Sequence, residues 1–125
     1  MTEYLPAPAD LPEREATKWA AVVHSRPIGY FTVLHADLIR IYVSAVCTLL
    51  DLRKLEQRKI DKQGDDWFLT EEADLVGLRR ISLAGVIEQY THLLGLSPAL
   101  GTSLLDYNKL RRDFTSEHTS PEPIN

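Results

Sequence analysis

The sequence predicts an all-α fold: an antiparallel hairpin of two long helices, with one helix before it and a short helix after it. Three observations predict this. Apolar residues recur at spacings of three and four over long stretches, the period of a helix face. Aromatics make up 8% of the chain, and the 44% apolar content is dominated by Leu, Ile, Val and Ala, which favours helices over a sandwich or barrel. Between Thr32 and Lys62 there is neither Pro nor Gly. A chain of 125 residues is expected to form one domain. Its expected parts are a Pro-rich arm over 1–11, a helical domain over 12–112 and a polar, disordered tail over 113–125.

The first helix is expected in "LPEREATKWAAVVHS", with Asp10 as its cap and Pro12 in its first turn. Glu13 and Glu15 suit the positive end of its dipole. Trp19, Val22 and Val23 share one face, and "RPIGYF" ends the helix with Pro27 and Gly29. The second helix runs from a Thr32 cap to Lys62. Leu34, Leu38, Ile41, Ala45, Leu49, Leu52 and Leu55 form its seam. Ile39, Tyr42, Val43, Val46 and Leu50 lie off that seam, so the first half is apolar on more than one face. The second half, "DLRKLEQRKIDK", is heavily charged and is expected to project into water.

"QGDDWF" reads as a turn, with Gly64 as the C-terminal cap. Thr70 caps the third helix, which carries Ala73, Val76, Leu83, Ile87 and Leu94 and stops at Gly95. Leu34, Leu38, Ile41, Tyr42, Leu49, Leu52, Leu83, Ile87 and Leu94 are therefore the expected core and oligomer residues. The hairpin carries more apolar surface than a small monomer can bury, so an oligomer well above a dimer is expected. "LGLSP" then ends one helix and starts another, with Ser97 as cap and Pro98 as first residue.

The chain offers little chemistry. No phosphate-binding Gly-rich loop and no dinucleotide fingerprint is present. His24, His35, His92 and His118 are scattered, and none has a metal-ligand spacing with the single cysteine, Cys47. The pairs Asp65–Asp66 and Glu71–Glu72 sit beside a helix start, where they suit the dipole better than acid–base catalysis. A non-enzyme without cofactor or metal is expected. One cysteine gives no disulfide framework, and the N-terminus lacks the pattern of a signal peptide. Purely apolar runs are only a few residues long, so no membrane span is expected, and the chain reads as cytoplasmic.

Charge is segregated along the chain. The net charge of −4 divides into −2 over 1–37, +3 over 38–62, −5 over 63–78, +3 over 79–112 and −3 over the tail. Such segregation points to a partner. Lys54, Arg58 and Lys62 recur every four residues and share a helix side, flanked by Arg53 and Lys59. A stripe of this kind holds phosphates without reading bases. The alternative is a neutralised, solvated helix end, because Asp51, Glu56 and Asp61 offer partners at i, i+3. Lys109, Arg111 and Arg112 form a second basic cluster. A helix-turn-helix is a further possibility in "EEADLVGLRRISLAGVIEQYTHL", with the turn at Gly77 and with Arg79 and Arg80 beside it. Its recognition helix would lack Arg, Lys or Asn for base edges, so one continuous helix is preferred.

Several stretches, in order, resemble phage terminase small subunits. "LPAPADLPEREATKWAAVV" is similar to that family's Pro-rich lead-in and Trp-bearing first helix. "YFTVLHADLIRIY", with Asp37, Leu38 and Tyr42, is similar to the start of its second helix. "LGLSP" followed by a short helix resembles its C-terminal signature. The likeness covers roughly residues 8–105. The chain departs from the pattern in its short "KQGDDWF" connection and in "ALGTSLLDY" after the proline. The resemblance implies a ring-forming, non-enzymatic adaptor in the cytoplasm of an infected bacterium. Such a protein binds double-stranded phage DNA at packaging initiation and delivers it to the large terminase subunit, which carries the ATPase and nuclease. The competing expectation is a helix-turn-helix transcription regulator.

Overall fold

The computed structural model describes residues 3–105, and among these the regular structure is helical, with no strand. The all-α expectation holds. Lys109, Arg111, Arg112 and the tail over 113–125 lie outside the described residues. Four α-helices follow one another: α1 (Glu13–His24), α2 (Ala36–Gln63), α3 (Glu71–Leu93) and α4 (Pro98–Leu104). Short 3-10 turns at Val33–His35 and Gly64–Leu69 lead into α2 and out of it.

The N-terminal segment packs on the helices over its described part. Leu11 is buried, and Tyr4, Leu5 and Ala7 pack against the core. The Trp19 indole N–H donates to the Leu5 carbonyl at 3.0 Å. Helix α1 starts two residues later than an Asp10 cap implies, with Pro12 at the cap position and no side-chain cap. Asp10 is drawn away by Arg40, whose guanidinium donates to both its carboxylate oxygens at 2.8 and 3.2 Å.

Thr32 caps the 3-10 turn rather than α2 itself. Its hydroxyl accepts from the Leu34 N–H while its own N–H donates to His35 Nδ1, a reciprocal box. Ile39, Tyr42, Val43, Val46, Leu49 and Leu50 face the core. The expected core and oligomer residues are only partly internal. Tyr42, Leu49, Ile87 and Leu94 are buried, and Leu38, Leu52 and Leu83 are half-buried. Leu34, 86% exposed, and Ile41, 45% exposed, are not core residues of the single chain. The stretch Val33–Leu69 is long and apolar enough to cross a membrane by length and composition. Its most apolar residues, Ile39, Val43 and Val46, are nevertheless fully buried within the molecule.

The connection after α2 carries the largest departure from expectation. Gly64 caps α2 with φ +67, as its position suggests. "GDDWFL" is then a 3-10 turn whose Trp67 is completely buried. Thr70 caps α3 by accepting from the Ala73 N–H at 3.1 Å. Helix α3 continues unbroken through Gly77, so the helix-turn-helix arrangement is absent. Nothing lies within 4 Å of where a Cβ would sit on Gly77, so this glycine is not a close-packing contact inside the chain either. Polar side-chain contacts help tie α2 to α3. The Thr91 and Tyr42 hydroxyls lie 3.5 Å apart, Arg80 donates to Glu56 at 2.7 Å, and Lys59 pairs with Glu72 at 3.5 Å.

The "LGLSP" break is a relay of two caps. The Gly95 N–H donates to the His92 carbonyl and the Leu96 N–H to the Thr91 carbonyl, the crossed pair of a Schellman end. Gly95 takes φ +68 there, and Leu96 buries itself. Ser97 then accepts from the Leu100 N–H, and Pro98 opens α4. Arg26 donates to the Gly95 carbonyl and lies over the Tyr30 ring, which fastens the loop before α2 to this turn. Gly95→Ala should destabilise the fold by about 1–2 kcal/mol through left-handed backbone strain alone. A Cβ there would also meet the Tyr30 hydroxyl at 2.6 Å. Urea unfolding midpoints of the two proteins measure this.

Candidate nucleic-acid interface

The basic residues of α2 divide by where the helix turns them. Lys54, Arg58 and Lys62 are exposed and share the side of α2 directed away from α3. Arg53 is half-buried instead and lines a groove of about 310 Å³ with Arg80, Glu88, Leu49, Ile87 and Leu105. Burial, with the Arg80 charge nearby, pulls its guanidinium below the usual arginine range. Lys59 is also half-buried and leans to Glu72. The two flanking residues therefore do not join the stripe.

Neutralisation of the stripe by its own helix is the competing possibility, and it depends on three acids. Each has another partner. Asp51 accepts two bonds from Arg14 of α1, at 2.6 and 2.9 Å. Glu56 accepts from Arg80 of α3. Asp61 accepts from Gln57 at 2.9 Å. Among the described residues, Lys54, Arg58 and Lys62 make no hydrogen bond or short ion pair. They act on Asp51 only through space, with Lys54 and Arg58 helping to hold its carboxyl low.

The sequence could reveal one of these diversions, because Gln57 and Asp61 are four apart on one helix. The other two join residues 37 and 24 positions apart, and no local spacing announces them. Arg79 is exposed on α3, whereas Arg80 turns inward to Glu56. No group of three or more His, Cys, Asp or Glu suited to a metal ion occurs among the described residues. Cys47 is buried beside α1, and burial pushes its thiol up, away from the reactive thiolate.

No protein-family profile, curated protein or solved structure matches this chain. The site is therefore described by its own geometry. It is a line of three exposed cations spaced every four residues on a helix end; Asp51 and Glu56 pair with arginines of other helices, and Asp61 keeps its charge beside the neutral Gln57.

The Arg14–Asp51 pair carries a pH signature. Its hydrogen bonds from Arg14 hold the Asp51 carboxyl below the ordinary carboxylate value. A lowered folded-state pKa adds stability above the unfolded value near 4, and that stability is lost as pH falls through the folded value. The pair is more than half exposed on the acid side, so solvent screening limits it to at most about 1 kcal/mol. Asp51→Asn should melt earlier than the parent at pH 7, and the gap should narrow progressively in melts run below about pH 4.

Proposed function

We propose that this chain is a non-enzymatic DNA-binding adaptor of the terminase small-subunit kind. It forms a ring, engages double-stranded phage DNA at packaging initiation, and passes it to the large terminase subunit in the infected cell. The observation that supports this most directly is the exposed stripe of Lys54, Arg58 and Lys62. A cationic row on a rigid helix suits phosphates, whose contacts position a protein on DNA without reading sequence. Repetition around a ring multiplies weak contacts into avidity.

The finer architecture belongs to the same reading. Helices α2 and α3 are taken as an antiparallel hairpin on which neighbouring copies assemble. The unbroken course of α3 through Gly77 speaks against a helix-turn-helix regulator. The test joins native mass spectrometry to a salt titration of duplex binding. The reading expects a discrete oligomer larger than a dimer, with affinity falling steeply as salt rises. A monodisperse monomer or dimer at micromolar concentration, or no binding to duplex at low salt, would sink it.

A further inference from the structure

Leu105 stands between two grooves. One is the groove of Arg53 and Arg80 between α2 and α3, lined also by Leu49, Ile81, Ala84 and Ile87. The other, of about 330 Å³, lies over Thr91, His92 and Leu96 against Pro98 and Gly101 of α4. Leu105 and Glu88 line both. Helix α4 therefore begins beside the second groove, at Pro98, and delivers the chain to the first. A chain that keeps this heading passes onto Ile87, Ala84 and Ile81.

Among the described residues, that face of α3 is bare. Leu78 and Ile81 are more than half exposed, and Ala84 is exposed with them at three-residue spacing. Gly77 and Gly85 beside them have open space where a Cβ would sit. From Ile87 back to Leu78 the face is about 13 Å long, at about 1.5 Å per residue.

The residues that follow Leu105, "DYNKLRRDF" over 106–114, suit that face in length and pattern. Tyr107, Leu110 and Phe114 recur at three and four, the spacing of one helix face. On such a helix Asp106 and Asp113 fall on one edge of the apolar stripe and Arg111 on the other, while Lys109 and Arg112 point away from it. The charges lining the groove are Arg53, Arg80 and Glu88, and Arg80 already pairs with Glu56. Arg53 is half-buried beside the Arg80 charge, a setting that favours an added carboxylate.

We infer that residues 106–114 form an amphipathic helix that docks, within the same copy, on the groove between α2 and α3, with Tyr107, Leu110 and Phe114 over Ala84, Ile81 and Leu78 and with Asp106 and Asp113 toward Arg53 and Arg80. This goes beyond the DNA-binding reading and does not depend on it. Docking also fixes Lys109 and Arg112 on the outer side of the segment.

The experiment uses the full chain and disables one side of the contact at a time. Ile81→Asp spoils the groove, and Leu110→Asp spoils the segment. Ile81 is more than half exposed, so the body of the fold should survive, and unchanged hydrogen exchange over 39–50 checks this. If Ile81→Asp unfolds the body, Ile81→Ser takes its place. Hydrogen–deuterium exchange with mass spectrometry reads the amides of 106–114. So short a helix is marginal on its own, and protection there requires docking.

The expected result is exchange over 106–114 slower by about tenfold or more in the unaltered chain than in either variant, with no further rise in the double variant. Equal exchange in the unaltered chain and both variants overturns the contact. Release by Leu110→Asp without release by a folded groove variant also overturns it, because the segment then packs elsewhere. An equimolar mixture of the two single variants identifies the copy involved. Docking within one copy leaves the mixture as unprotected as its components. Renewed protection in the mixture would mean that one copy's intact segment fills another's intact groove, which overturns the same-copy contact.

Discussion

Replacing Lys54, Arg58 and Lys62 together with alanine should weaken duplex-DNA binding on the order of tenfold to a hundredfold at moderate salt, and flatten its salt dependence. Removing one phosphate-binding cation should reduce the magnitude of the log–log salt slope by about 0.9. The fold should be unaffected, because all three side chains are exposed and none makes a hydrogen bond or short ion pair among the described residues. Assembly should persist. The comparison is Lys109→Ala/Arg111→Ala/Arg112→Ala. An unchanged slope in the first variant with a flattened slope in the second would move the DNA site to the C-terminal cluster. Unchanged slopes in both would leave Arg79, exposed on α3, as the next cation to replace. A subtler comparison is Arg14→Ala, which frees Asp51 beside Lys54. Restoring that acid to the stripe should weaken DNA binding without removing any cation from α2.

Trp67→Ala should be the most damaging single change in the connection between the long helices, costing about 3–5 kcal/mol. Domains of this size have about 5–15 kcal/mol of stability, so the variant should unfold near ambient temperature or populate the unfolded state measurably. The indole is wholly buried where α2, the 3-10 turn and α3 meet. Trp67→Phe should be far milder, at about 1–2 kcal/mol. Among the described residues the Trp67 indole nitrogen has no hydrogen-bond partner, so phenylalanine gives up packing area but no bond. Trp19→Phe makes the contrast, because it abandons the bond to the Leu5 carbonyl and should cost about 1 kcal/mol more. Urea titrations of the four proteins order them. Equal costs for the two phenylalanine variants would refute the distinction.

What was legible in the sequence was local. Thr70, Gly64 and the Gly95–Ser97–Pro98 relay act within a few residues of themselves, so their types and spacing suffice. The continuity of α3 was legible because its second half lacks the side chains a recognition helix needs. The facing of α2 was not. Its first half offers two apolar stripes, and packing against α1 and α3 buries Ile39, Tyr42, Val43 and Val46 rather than Leu34 and Ile41. Trp67 was hidden by its neighbours, since Gly64, Asp65 and Asp66 announce a polar turn. The state of the basic stripe was illegible for a similar reason. Whether Asp51 and Glu56 neutralise it depends on Arg14 and Arg80, which arrive from other helices.

The two tryptophans give the molecule a built-in optical readout. Both are buried, Trp19 in the middle of α1 against the N-terminal segment and Trp67 in the turn that follows α2. One indole donates a hydrogen bond and the other sits in an apolar setting, so their emission maxima should differ, with Trp67 the bluer. Removing either one leaves a single fluorophore that watches either the packing of α1 or the turn after α2. Melting followed in those two single-tryptophan proteins would distinguish a concerted loss of both ends from fraying that begins at one.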